Sequence, residues 1–276
     1  MSSRKDASEA AVRQHRKAQQ DQDAKDRAAA KSAKDGKAKQ PVQAGHREEP
    51  ENPLPSQRLE KPGIEAQMEL RPRYEAPDYR GSGKLQDMRA VVTGGDSGIG
   101  RAVALLFARE GADVAIVYLN EHEDAQETKR HVEAEGRRCL LIPGDVSDGA
   151  FCEKAVAKAV KEFGGLDILV NNAAFQMHAQ KIEDVSDERL DLTLQTNIGG
   201  YFRMARAAVP HMKQGGSIIN TGSVTGLEGS SNLLDYSATK GAVILLTQAR
   251  HADTGFLRDA HALIGLRQSV AIRHQF

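Results

Sequence analysis

Thr93-Gly94-Gly95-Asp96-Ser97-Gly98-Ile99-Gly100 is the stretch whose reading decides the fold. It follows a short apolar run, Ala90-Val91-Val92. It precedes residues 101–110, where Val103, Leu105, Leu106 and Phe107 fall at helical spacing before Gly111. Strand, glycine loop and helix in that order let the backbone turn tightly and approach a pyrophosphate. The helix N-terminus then offers N–H groups and the positive end of its dipole. Gly94, Gly98 and Gly100 are therefore candidate dinucleotide-binding residues. A glycine trio alone is a weak signal, and its place after the first strand of a repeating pattern strengthens it.

The pattern does repeat. Residues 114–119, 139–142, 166–170 and 217–220 read as further strands. Residues 123–135, the stretch from the Ser147 cap to Phe163, residues 187–212 and residues 235–250 read as helices. Strands separated by helices of this length imply right-handed βαβ crossovers and a parallel sheet. The expected fold class is α/β, a doubly wound parallel sheet of Rossmann type, with ligands at the carboxyl ends of the strands.

Asp145 and Val146 follow the third strand. The Asp145 carboxylate can accept the adenine amino group, with the Val146 backbone completing the contact. It can equally be an acid favoured at a helix N-terminus. After the second strand, Glu121 is a candidate for holding adenosine ribose hydroxyls, and Asp96 adds negative charge nearby. No Arg or Lys stands at either place, so the expected cofactor is NAD or NADP with a lean to NAD. Tyr236 and Lys240 in Tyr-Ser-Ala-Thr-Lys lie one helical turn apart. An ammonium near a phenol favours the phenolate, so this pair can move a proton on and off a hydroxyl group.

The chain has 276 residues, with Lys+Arg and Asp+Glu equal at 38 each. That balance gives no reason to expect a nucleic-acid partner. Two cysteines, Cys139 and Cys152, exclude a disulfide scaffold, and neither has metal-ligand spacing, so no metal is expected. No apolar run is long enough to span a membrane, and the charged N-terminus is not a secretory signal. A cytoplasmic protein is expected. Residues 1–45 are rich in Lys, Ala, Asp and Gln and read as a disordered charged tail. Residues 46–86 are proline-punctuated yet carry Leu54, Ile64, Met68, Tyr74 and Tyr79, and read as an extension lying on the domain surface. The nucleotide-binding domain occupies 87–247, and 248–276 is an atypical C-terminal segment.

Thr-Gly-x-x-x-Gly-Ile-Gly, Asn171-Asn172-Ala173, and Ser223 ahead of Tyr-x-x-x-Lys together resemble the short-chain dehydrogenase/reductase family. The resemblance covers about residues 53–247. It is nearest to a bacterial, N-terminally extended subgroup similar to glucose/ribitol-dehydrogenase-like proteins. It implies that Tyr236 is the general acid/base, that Lys240 lowers its pKa and holds the nicotinamide ribose, and that Ser223 orients the substrate oxygen. It implies that Asn197 anchors a water relaying protons to Lys240, that Asn172 and Ala173 line the cofactor path, and that Ser97 and Ile99 contact the cofactor through the glycine loop. The implied activity is hydride transfer between NAD(P) and a secondary alcohol or carbonyl of sugar or polyol type. The resemblance also implies a homo-oligomer pairing residues 187–212 and the Tyr236 helix.

From residue 248 the family's pattern stops. No proline follows Pro210, and only residues 263–272 hint at another strand. The sheet is therefore expected to be C-terminally incomplete, through a frameshifted or truncated reading frame. The alternative function is a catalytically weak or inactive remnant retaining dinucleotide binding.

Overall fold

The computed structural model describes residues 2–30, 55, 57, 59–253 and 258–264. Six strands form one sheet: β1 (Arg89–Thr93), β2 (Asp113–Tyr118), β3 (Cys139–Pro143), β4 (Leu166–Asn171), β5 (Met212–Ser223) and β6 (Arg258–Ile264). Their order is β3-β2-β1-β4-β5-β6, and every neighbouring pair is parallel. The chain winds one way from β1 to β3 and the other way from β4 onward. A crevice therefore opens between β1 and β4 at their carboxyl ends.

The two-residue period of β1 assigns each side chain to a face. Val91 packs with Val117, Leu169 and Ile218 against α4 (Gly149–Phe163) and α6 (Gly200–Ala208). Ala90 and Val92 pack with Val114 and Ile116 against α2 (Gly98–Arg109) and α3 (His122–Ala134). Each fully buried valine contributes about 2 kcal/mol of apolar transfer, so both faces hold the glycine loop to a rigid floor. Asp148, not Ser147, caps α4, its side chain accepting from the Ala150 N–H.

The stretch expected as one helix over 187–212 is divided. α5 (Asp187–Leu194) runs into a π-helical turn, Gln195–Gly199, then α6 and a 3-10 turn, Val209–His211. Asn197 and the Gly199-Gly200 pair fall at the wide turn, which is where π-bulges gather at functional sites. α7 (Thr225–Glu228) and α8 (Leu234–Asp253) complete the sheet's cover.

Two expectations are corrected. Much of the segment expected to be a disordered tail is a helix, α1 (Ser2–Ala30), docked on the domain. The Gln19 side chain donates to the Leu59 carbonyl (2.9 Å) and accepts from the Lys61 N–H (2.8 Å). Gln22 accepts from Arg189 at 2.8 Å, Lys25 donates to the Asp184 carbonyl, and Ala11 and Val12 are buried. Reasoning from large apolar residues undervalued α1, because amide and charged side chains do most of the docking. The second correction concerns one strand, which the sequence hinted at only over residues 263–272. The sheet has a sixth strand, at residues 258–264, with Ser217 to Ser223 of β5 paired to Arg258 through Ile264. Arg-Asp-Ala-His carries little strand propensity, and the open edge of β5 supplies the backbone partners that composition does not signal. Residues 1, 31–54, 56, 58, 254–257 and 265–276 lie outside the described residues. No helix among the described residues is long and apolar enough to cross a membrane.

Candidate active site

A cavity of about 380 Å³ occupies the crevice at the carboxyl ends of the strands. Gly94, Ser97, Gly98 and Ile99 line one wall, Asp145 and Val146 another, and Asn172, Ala173, Tyr236 and Lys240 the far end. Of the residues expected to hold a dinucleotide, Gly100 alone stands off the cavity, buried beneath the loop. Its backbone packs so closely that a Cβ would lie 1.8 Å from the Gly94 carbonyl oxygen. Gly94 itself has φ +62° and a Cβ there would meet the Ala173 backbone at 3.0 Å. These two glycines let the loop fold down on the β4 end.

Thr93 and Asn172 tie that corner together. The Thr93 hydroxyl accepts from the N–H groups of Asn172 (2.9 Å) and Ala173 (3.1 Å). The Asn172 amide donates to the Gly94 carbonyl (3.1 Å) and accepts from the Thr221 hydroxyl (3.3 Å). Asn172 thus shapes the cofactor path as well as lining it.

The N-terminus of α2 holds a group that the motif does not reveal. The carboxylate of Glu65, from the extension, accepts from the Gly98 N–H at 2.6 Å and pairs with Arg101. Arg101 is 1% exposed and also donates to the Asp96 carbonyl and to Thr128, and stands 3.5 Å from Asp124. Asp124 in turn accepts from the Glu65 and Ala66 N–H groups. Glu65 is distant in sequence from the loop, and no local signal marks it.

At the adenosine end, Asp96 and Glu121 are both buried and both line the cavity. Burial, then the neighbouring Glu121 charge, pushes Asp96 up to about 7. Burial likewise raises Glu121. The Ser97 hydroxyl donates to Asp96 at 2.8 Å. No Lys or Arg among the described residues forms an ion pair with Asp96 or Glu121. Asp145 accepts from the Ser147 N–H at 2.8 Å, so its carboxylate braces the turn while it faces the cavity.

At the other end, Tyr236 is raised above the ordinary phenol range by burial, partly offset by a hydrogen bond with Ser223. Burial, rather than the charge of Lys240, sets that direction. The Lys240 ammonium lies 5.6 Å from the Tyr236 ring centre and donates instead to the Tyr201 phenol (3.0 Å) and the Thr221 carbonyl (2.6 Å). Burial lowers Lys240 to about 8. The Ser223 hydroxyl also meets Thr225 at 3.0 Å. The Asn197 side chain braces the neighbouring segments. It accepts from the Phe175 N–H (2.7 Å) and donates to the Phe175 carbonyl (2.9 Å) and Thr239 hydroxyl (3.1 Å). Both amide hydrogens are thereby spent on bracing Phe175 and α8. Thr225, Thr221 and Tyr201 escaped sequence reasoning, as did His15, which enters the cavity wall from α1 against Phe175 with ring centres 4.9 Å apart. Among the described residues no group of three or more His, Cys, Asp or Glu could hold a metal ion.

Comparison with known proteins covers the same region. The sequence profile described as short chain dehydrogenase matches residues 88–255. The uncharacterized oxidoreductase YhdF of Bacillus subtilis is 53% identical over 195 residues, spanning 71% of this chain and 68% of that protein. The glucose and ribitol dehydrogenase of Daucus carota is 43% identical over 200 residues, spanning 70% of this chain and 69% of that protein. A short chain dehydrogenase from Burkholderia cenocepacia, solved in complex with NADP, superposes with a TM-score of 0.61 at 38% identity, over 63% of this chain and 72% of that one.

Proposed function

The chain belongs to the short-chain dehydrogenase family, an oxidoreductase of CH–OH groups that uses NAD or NADP, and on that premise we propose that Tyr236, Lys240 and Ser223 carry its proton transfer. The observation that carries this reading is that Tyr236 and Lys240 line the same cavity as the glycine loop. The residues present fit a dinucleotide. Gly94, Ser97, Gly98 and Ile99 would hold the pyrophosphate side, Asp145 and Val146 the adenine, and Asn172, Ala173 and Lys240 the nicotinamide riboside. A bound nicotinamide supplies the redox chemistry, taking a hydride from the carbinol carbon or returning it.

Tyr236 moves the accompanying proton. Its raised phenol is protonated at neutral pH and is set to donate to a carbonyl oxygen. In the reverse direction the phenolate accepts the alcohol proton, and the ammonium of Lys240 stabilises that anion. Ser223 orients the substrate oxygen beside Tyr236. Asn197 serves through its bracing of Phe175 and α8. The substrate is a secondary alcohol or carbonyl of sugar or polyol type, a reading supported by the likeness to the carrot enzyme. NAD is preferred, because two acids, Asp96 and Glu121, line the adenosine end and no Arg or Lys among the described residues is paired with them to meet a 2′-phosphate.

The test titrates the full chain with NAD and NADP against a panel of secondary alcohols, polyols and sugars, following reduced-nicotinamide absorbance. Turnover with NAD ahead of NADP is expected. Tyr236→Phe should lose about 100-fold or more in kcat while dinucleotide affinity holds. A Tyr236→Phe enzyme with wild-type kcat would overturn the assignment.

A further inference from the structure

The Lys240 ammonium has three hydrogens to place. One goes to the Thr221 carbonyl at 2.6 Å and one to the Tyr201 phenol oxygen at 3.0 Å. The lysine is 1% exposed, and no carboxylate among the described residues pairs with it. Tyr201 is equally buried, on α6, at 1%. Its own hydroxyl hydrogen points to the Thr221 carbonyl at 3.4 Å, and its backbone carbonyl accepts from Asn171 at 3.3 Å. Lys240, Tyr201 and the Thr221 carbonyl thus close a triangle beneath the cavity floor. The ammonium also lies 4.9 Å from the Tyr201 ring centre, within cation–π reach.

We propose that Tyr201 is a positioning residue for the active-site lysine, holding the Lys240 ammonium charged and oriented with its third N–H left for the cavity. The proposal rests on the reading of Tyr236 and Lys240 as the proton-transfer pair. The titratable groups facing Lys240 are Tyr201 from α6 and Tyr236 from its own helix; β5 contributes only the Thr221 carbonyl. Burial drives the Tyr201 phenol far above its ordinary range. Tyr201 therefore stays neutral and does not serve as a base. Its hydrogen ends on a peptide carbonyl inside the sheet, so it offers no exit for protons. What it contributes is an acceptor for a buried charge that has no counter-ion among the described residues.

Tyr201→Phe keeps the ring and the cation–π contact and removes that acceptor alone. The charged form of Lys240 loses a hydrogen bond, so its pKa moves down, by about one pH unit. The direct readout is a pH titration of the Cε resonance in the full chain labelled with [13C]lysine, without cofactor, with Lys240→Arg identifying the signal. Wild type should titrate well below ordinary lysine and Tyr201→Phe lower still. The alkaline limb of the kcat/KM profile should move down by the same interval, about tenfold in rate on that limb. A merely structural tyrosine would lower the melting temperature and leave both profiles in place; that result, or an upward shift, overturns the proposal. If Tyr201→Phe melts below the assay temperature, Tyr201→Met, which also lacks the hydroxyl, is read in the same way. Absence of turnover in the wild type would sink the functional reading, while the resonance titration would still decide the role of Tyr201.

Discussion

Replacing Arg101 by methionine tests whether the extension and the glycine loop are one unit. The guanidinium is buried with Glu65, Asp124, Glu127, the Asp96 carbonyl and Thr128 around it, and its plane lies 4.7 Å from the Tyr74 ring centre. Methionine fills much of the volume and leaves Glu65 and Asp124, both under a tenth exposed, without their cation. Breaking a buried pair from one side costs about 3–5 kcal/mol. For a domain of this size that lowers the melting temperature by about 6–20 °C. Adding Glu65→Gln removes one of the stranded charges. In the Arg101→Met background it should therefore recover about 0.5–3 kcal/mol, the range for coupled neighbours. In the wild type, Glu65→Gln should itself be destabilising, since it weakens the bonds to Arg101 and the Gly98 N–H. Thermal and urea unfolding followed by circular dichroism measure all four corners. Dinucleotide affinity should fall alongside, because Arg101 and Glu65 fix Asp96 and the α2 N-terminus. A cycle in which the two substitutions add independently, or an Arg101→Met protein within 1 kcal/mol of wild type by that cost scale, would refute the reasoning.

Two further perturbations follow from the same corner. Gly100→Ala places a methyl 1.8 Å from the Gly94 carbonyl oxygen, a backbone atom that cannot swing aside, and 2.8 Å from the Asn172 side-chain amide. Destabilisation of about 1–3 kcal/mol from overpacking and a marked loss of dinucleotide affinity are expected by calorimetry; normal binding would show that the loop yields. Asp96 binds its proton more tightly in the folded state, at about 7, than unfolded at the model-compound value of 3.8. The folded protein therefore carries more protons between those pKa values, and this group's contribution to stability falls as pH rises through that window, by up to about 4 kcal/mol. Asp96→Asn removes the titration, so its stability relative to wild type should grow from about pH 4 to pH 7. A pH-independent difference in denaturant unfolding would rule this out.

The lesson about legibility lies in particular residues. Gly94, Gly98 and Gly100 were readable because a tight βα turn is a local object: the positive φ of Gly94 and Gly98 and the approach of Gly100 to the Gly94 carbonyl are set within eight residues. The sheet was readable because short apolar runs such as Ala90-Val91-Val92 recur between stretches with the helical spacing of α2, and both report burial without any long-range knowledge. Tyr236 and Lys240 were readable because four residues of helix bring them to one face. What those groups do was decided elsewhere. Lys240 meets Tyr201 across 39 positions, and Arg101 meets Glu65 across 36. Asp96 is raised by burial and then by the charge of Glu121 from the next strand end, and the Asn197 side chain is bonded to Phe175. α1 docks through Gln19 and Gln22, whose amides look like solvent-facing polar residues until the partners at 59–61 and 189 are in place. The sixth strand exists through the unpaired edge of β5 rather than through its own composition. Local backbone preference and apolar periodicity are written along the chain. Burial of charge, the partner of a buried hydrogen bond and the edge that a strand pairs with exist only once distant segments are brought together.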